Sequence, residues 1–302
     1  MDATAGAAAA PTHRRRRRPS LTTPALLGLP VSWLGLFFVA PIAIVAAYSV
    51  DVFVLFPGPH HFTLKPWRTF FSDGTYFPLF EKSIEMSLMV SAAVVVVAYP
   101  LAYYLALSGT RRKYTLLLVL IAPFLTSYLL RVLAWKVILG DQGVINTFLV
   151  WTGLRAAGHP LSFLLYSRFA VMLVLGYVWL PFVALPIFVT LESLDQRLLE
   201  AASDLYASRL QAFVRITLPL SAPGLVAAFL FVFIPTVGEF ITPSLVGGTT
   251  GYMYGSQIVD LFHTGFPDWE TGSILALFLL AVISALTVVF VRFLRMGEAR
   301  TA

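Results

Sequence analysis

The chain has 302 residues, 58% of them hydrophobic and 12% charged, with a mean hydropathy of +0.83, a composition that excludes an ordinary water-soluble domain. It has no cysteine, which removes disulfides and thiolate chemistry. Its net charge of +6 invites a nucleic-acid partner, but the basic residues cluster beside apolar runs and read as orientation signals on anionic headgroups; membrane lipid, and no nucleic acid, is the expected partner.

Residues 1–30 carry five consecutive arginines at 14–18 and are rich in Ala, Pro and Thr, the pattern of a disordered basic tail. A first apolar run at 31–54 is longer than a usual export-signal core and reads as an uncleaved span. Five more runs of spanning length follow at 83–107, 114–139, 169–191, 220–241 and 272–293. A helix needs roughly 20 mostly apolar residues to cross about 30 Å of hydrocarbon. None of the runs alternates with a period of two, which excludes an outer-membrane barrel, so the expected fold is all-α with six transmembrane helices. Pro41, Pro100, Pro123, Pro181, Pro186 and Pro235 fall inside these runs and mark positions for kinks.

The connections alternate in charge. Arg14 to Arg18 precede the first run, Arg111, Arg112 and Lys113 follow the second, Arg197, Arg209 and Arg215 follow the fourth, and Arg292, Arg295 and Arg300 close the last. The opposite connections hold Lys65, Arg68, Lys82, Arg155 and Arg168. The positive-inside rule then puts both termini, the short tail at 296–302 and the loop at 192–219 in the cytoplasm of a multi-pass plasma-membrane protein.

Catalytic signatures are missing. His13, His60, His61, His159 and His263 lack metal-ligand spacing on a helix, so neither metal nor cofactor is expected. The segment GGTTGYMYG at 247–255 has the glycines of a phosphate loop without its lysine, and no nucleophile-elbow or zinc-protease motif occurs.

The loop at 192–219 reads as a short helix-turn-helix. Ser193 is a candidate cap for a helix over 194–207 and Ser208 for a second over 209–217, ahead of Pro219. Leu198, Ala201, Ala202 and Leu205 recur at spacings of three and four and define an apolar face, suited either to a partner's groove or to packing on the chain's own bundle. Pro219 lacks an N–H and restricts Leu218, so the coil-to-span junction is expected there.

The same loop carries a resemblance. Glu200-Ala201-Ala202, three residues, position 206, nine residues, then Ile216-x-Leu218-Pro219 resembles the EAA motif of ABC-importer permeases, with Tyr206 where that motif has Gly. The stretches APFLTSYLLRVLAWKVILGDQGVIN at 122–146 and FIPTVGEFITPSLVGG at 233–248 resemble the spermidine/putrescine permease subfamily, and the likeness extends over 31–295. It implies a six-helix type I permease domain paired with a second permease, a cytoplasmic ATP-binding subunit dimer that hydrolyses ATP, and an extracytoplasmic solute-binding protein. It also implies that the loop is a coupling helix seated on the ATPase through Glu200, Ala201, Ala202, Asp204, Tyr206, Ala207, Ile216, Leu218 and Pro219. The implied solute is of the polyamine type, with thiamine, phosphonate or iron as alternatives within the importers and an ion-driven secondary transporter as the alternative outside them.

Charges at membrane depth are the candidates for the solute path, because facing lipid would be costly. Glu239, beside Gly238 and near Pro235, is positioned to meet a cation, and Trp135, Tyr177 and Trp179 offer ring faces to an ammonium. An ion pair with Arg131 is the alternative for Glu239; packing or snorkelling is the alternative for Arg131 and Lys136.

Overall fold

The computed structural model describes residues 22–52, 61–108, 112–154, 159–263, 265 and 267–298, which form helices and turns and no strand. In chain order the helices are α1 (Thr22–Tyr48), α2 (Lys65–Ser72), α3 (Tyr76–Leu107), α4 (Lys113–Ile121), α5 (Tyr128–Leu139), α6 (Val144–Trp151), α7 (Arg168–Glu192), α8 (Gln196–Asp204), α9 (Arg209–Ala212), α10 (Leu218–Val237), α11 (Tyr254–His263) and α12 (Trp269–Glu298). Helix α1 starts at Thr22, so the end of the expected disordered tail is helical, and the first span closes at Tyr48 rather than 54. The arginines at 14–18 and His13, His60, Arg111, Arg155 and Arg300 lie outside the described residues. Helix α12 continues to Glu298, into the segment expected as the terminal tail.

Five helical stretches are long and apolar enough to cross a membrane, and six if one bent pair is a single span. That pair corrects the third expected span, which is not one helix. Helix α4 runs into a 3-10 turn at Ala122–Leu125, and the chain then bends by 87° before α5. Pro123 withholds an N–H inside that turn. Thr126 and Ser127 take ψ of 158° and 136°, and the Thr126 hydroxyl donates to the Pro123 carbonyl at 2.6 Å, replacing part of the lost helical bonding. The other prolines expected as kinks, Pro41, Pro100, Pro181, Pro186 and Pro235, lie inside continuous helices.

The core is the contact of α3, α7 and α10. On α3, Met86, Val90, Val94, Ala98 and Ala102 form a buried stripe at four-residue spacing, flanked by buried Ser83, Ser87 and Ser91. Each serine hydroxyl donates to the carbonyl four residues before it, at 2.7–3.0 Å, so the small side chains allow close approach without an orphan polar group in hydrocarbon. Tyr99 and Ser221 share a hydrogen bond of 3.0 Å between α3 and α10, and the Ser83 hydroxyl accepts the Tyr254 N–H at 2.7 Å, pinning α11 to α3. An outer aromatic cluster around Phe70 and Phe278 joins α2 to α12, while α1 leans on α12 through Tyr48 and Trp269 and keeps most of its apolar surface exposed.

The tightest approach is at Gly224 of α10, where an added Cβ would stand 2.2 Å from Thr190 Oγ1 and 2.7 Å from Thr190 Cβ on α7. Gly224→Val should therefore lower stability by about 1–3 kcal/mol through overpacking, read as a fall in the melting temperature of the purified chain. Thr190→Ala, which deletes the two outer atoms, should recover part of that loss.

Candidate functional site

The loop between α7 and α10 forms the two expected helices with different boundaries. Ser193 is not the start of the first: it closes α7, its amide bonded to the Val189 carbonyl and its hydroxyl to that of Thr190. Asp195 caps α8, accepting the Arg197 N–H at 3.0 Å, because its extended backbone and short carboxylate reach the first free amide. Ser208 caps α9 as expected, in a reciprocal pair in which Ser208 N–H donates to Gln211 Oε1 at 2.9 Å and Gln211 N–H to Ser208 Oγ at 3.3 Å.

Between them stands Tyr206, with φ at +58°. The Tyr206 amide donates to the Ser203 carbonyl and the Ala207 amide to the Ala202 carbonyl, the paired bonds of a left-handed helix terminus that glycine usually makes. A residue with a Cβ makes the same turn here. Its ring is 98% exposed and therefore packs on nothing in this chain.

Pro219 does not end the coupling element. The residues from Arg209 to Val237 form one helical stretch, with a π turn at Phe213–Thr217 in which the Leu218 amide reaches back five residues to the Phe213 carbonyl. The wider turn lets the chain run through Pro219 without a break.

The expected apolar face divides in two. Leu198, Ala201, Leu205 and Tyr206 are exposed, whereas Ala202 is 8% exposed and faces the bundle with half-buried Leu199. Glu200, Asp204, Leu218 and Pro219 are exposed, and Ala207 and Ile216 are half-buried. Sequence periodicity did not single out Leu210, which is also exposed and one turn beyond the Tyr206 corner. At the root of the loop, Lys113 binds Glu192 at 2.6 Å and the Tyr114 hydroxyl donates to the same carboxylate at 2.8 Å, tying α4 to the end of α7.

Deeper in the bundle, the residues expected along the solute path are brought together by two that were not expected. Trp135 meets Tyr177 at 5.4 Å, Tyr177 meets Phe124, Phe124 meets Phe182, and Phe182 meets Trp179. Phe124 and Phe182 thus complete an aromatic string. The Arg131 guanidinium lies 4.4 Å from the Phe124 ring centre and 5.9 Å from that of Tyr128. Its Nε and Nη1 are buried without a hydrogen-bond partner, as is Trp179 Nε1. Lys136 sits over the Tyr166 ring at 5.7 Å.

Glu239 lies just past α10, which ends at Val237 rather than 241. Its Oε1 accepts the Ile241 N–H at 2.9 Å and the Thr242 N–H at 3.2 Å, capping the turn that continues as a π turn at Pro243–Gly247. No ion pair joins Glu239 to Arg131 among the described residues; the carboxylate's firm partners are amides. Tyr128 bridges the region, bonded to the Thr242 hydroxyl at 2.5 Å and interacting with both Glu239 and Arg131. Gly255 at the start of α11 backs this turn, since a Cβ there would meet the carbonyl oxygens of Gly238 and Glu239 at 2.5 and 2.7 Å. In the adjoining loop, burial and a hydrogen bond to Asp260 push the Tyr252 phenol well above its ordinary pKa.

The family model described as binding-protein-dependent transport system inner membrane component matches residues 4–300. The chain belongs to that family. It is 35% identical over 220 residues to the spermidine/putrescine transport system permease protein PotB of Escherichia coli K12, covering 73% of this chain and 78% of that protein. The PotB of Haemophilus influenzae is 33% identical over 266 residues, covering 86% and 90%. The inner membrane ABC transporter permease protein YdcU of Escherichia coli K12 is 33% identical over 249 residues, covering 77% of each. The fold matches a chain in the crystal structure of a bacterial alginate ABC transporter in complex with an alginate pentasaccharide-bound periplasmic protein, with a TM-score of 0.65 and 19% identity over 93% of this chain and 94% of that one. A chain of the MetNI methionine ABC transporter in an inward-facing form matches with a TM-score of 0.54 and 16% identity, covering 74% and 95%.

The protein is thus a permease component of an ABC importer, a multi-pass inner-membrane subunit whose task is transport. Within that frame the Tyr206 corner gives a clear expectation. Tyr206→Gly removes a ring with no intramolecular packing and relieves a left-handed non-glycine residue, while adding freedom to the unfolded chain. The stability of the isolated permease should stay within about 1 kcal/mol of wild type; a larger fall in its melting temperature would show that the ring packs against the chain after all.

Proposed function

We propose that this permease forms half of the translocation pathway of an ATP-driven polyamine importer. Both termini face the cytoplasm, and the loop at 192–219 couples the permease to a separate ATP-binding subunit dimer. The observation that carries the coupling role is the exposed apolar corner of Leu198, Ala201, Leu205 and Tyr206, joined by one tight left-handed turn to the stretch that runs unbroken from Arg209 to Val237. A surface of this kind gains by burial in a groove, and the chain has no phosphate loop of its own. The similarity to PotB proteins over most of the chain supports the polyamine reading. A second permease and an extracytoplasmic binding protein complete the proposed assembly.

In this reading a solute ammonium passes the ring faces of Trp135, Tyr177 and Trp179 and meets Glu239, whose Oε1 is fixed by amides so that the carboxylate is held in place. Glu239→Gln keeps an acceptor for the cap and removes the charge. Uptake of spermidine should weaken by about fivefold or more at low solute concentration, with the variant still assembling. Normal uptake would assign Glu239 to capping alone.

Coupling is tested at the loop. Ala201→Trp, on the outward face, should separate the permease from the ATPase by steric clash, and Glu200→Lys should weaken docking by charge reversal. The measurement is ATPase co-purification together with binding-protein-stimulated hydrolysis, and wild-type values for both variants would remove the coupling role. Uptake into vesicles that needs an ion gradient and neither ATP nor a binding protein would overturn the importer mechanism altogether.

A second solute reading is favoured by Arg131, whose buried nitrogens lack an acceptor. A solute bearing a carboxylate or phosphonate would pair with it. Competition of spermidine uptake by an ω-amino acid, lost in Arg131→Gln, would select this reading over a purely cationic solute.

A further inference from the structure

We infer that a cavity on the inner face of α8 binds a phosphate oxyanion, supplied as the headgroup of an anionic phospholipid. The cavity, of about 420 Å³, lies between α8, the end of α3, and α9 with the π turn that follows it, and is not lined by Leu205 or Tyr206. Among the described residues its polar lining comprises Arg209, Tyr103, Tyr104, Ser203, Thr217 and Ser108, with no carboxylate. Arg209 makes no ion pair among the described residues. A pocket with one cation, several hydroxyl donors and no acid selects an anion.

The buried hydroxyl of Thr217 makes the argument specific. In spans, a threonine usually spends its hydroxyl on the carbonyl four residues back, as Thr190, Thr236 and Thr287 do here at 2.7–2.8 Å. For Thr217 the carbonyl four residues back is that of Phe213, which accepts the Leu218 amide in the π turn, and the hydroxyl does not bond it. Thr217 is fully buried and its Oγ1 has no partner, a cost of about 1–3 kcal/mol unless a ligand supplies the bond. Thr217 is therefore an unpaired donor among the residues that line the cavity with Arg209.

The site lies at the end of α3, close in sequence to Lys113, whose pair with Glu192 closes α7. The rings of Phe213 and Tyr104 and the side chain of Leu199 supply apolar wall beside the polar group, as the glycerol region of a lipid requires. The cytoplasmic side of this leaflet rests on the topology proposed above; the binding itself does not.

The test uses the full-length permease, alone and within its complex, in nanodiscs containing phosphatidylglycerol or phosphatidylcholine, followed by native mass spectrometry. One phosphatidylglycerol should be retained in preference to phosphatidylcholine by about fivefold, the worth of one basic residue at a lipid surface, and Arg209→Gln should abolish the preference. Thr217→Val should reduce retention while leaving the lipid-free melting temperature equal or higher, because it deletes an unsatisfied hydroxyl. Equal retention of the two lipids, or variants indistinguishable from wild type, would overturn the site. Loss of the lipid on assembly would also overturn it, by showing that protein fills the cavity. Displacement by millimolar inorganic phosphate would overturn the lipid source and leave a soluble-phosphate site. Because binding is read without ATP or solute, failure of the transport reading would not imitate any of these results.

Discussion

Hydrocarbon offers a backbone amide no partner, so every departure from the α-helix inside or beside a span has to be repaired from within the chain. Three such departures organise this protein. At Thr126–Ser127 a side-chain hydroxyl repairs a proline break and the helix turns through 87°. At Phe213–Thr217 a π turn carries the helix across Pro219. At Gly238–Glu239 a carboxylate caps the restarting turn. Each repair stands beside a functional candidate: Arg131 and Tyr128 at the first, the 192–219 loop at the second, Glu239 at the third. The Thr126–Ser127 break is exposed on the chain's surface, whereas Gly238 and Glu239 are half-buried.

The same constraint shapes how force would pass through the loop. Helix α8 hangs between two anchored ends. On one side α7 is tied to α4 through Glu192, Lys113 and Tyr114. On the other, one left-handed residue and a capping box connect it to the stretch that runs from Arg209 to Val237. The corner at Tyr206 is fixed by backbone hydrogen bonds rather than by side-chain packing, so under the proposed coupling a displacement of α8 would pass to α10. The Gly224–Thr190 approach sets α10 close against α7.

Electrostatics on the solute side are less symmetrical than a simple cation path would have them. A guanidinium stacked on Phe124 holds a positive charge next to the aromatic string, and Glu239 is engaged by amides and by the Tyr128 network. If the proposed path runs here, a cation near an anion would weaken retention of a purely cationic solute, and a pathway needs weak retention in order to release what it admits.

Composition and the spacing of apolar runs determined the all-α membrane fold, because span length and the absence of a two-residue period leave one solution. The EAA spacing and the Ser208 cap were also legible, since both depend on neighbours a few residues away. Tertiary structure decided the rest. Ser193 gave way to Asp195 as a cap because α7 extends to Glu192 and takes Ser193 into its own terminus. Ala202 parted from Ala201 because a helix packed on a bundle exposes one side only. The third span broke because the consequence of Pro123 depends on what surrounds it, whereas Pro100 and Pro181 sit inside unbroken helices. Glu239 became a cap, and Phe124 and Phe182 joined Trp135, Tyr177 and Trp179, because ring contacts between α7 and the segment around the bend unite residues about 50 positions apart. Sequence periodicity states which side of a helix is apolar, and only the packed neighbours decide which of those residues meet.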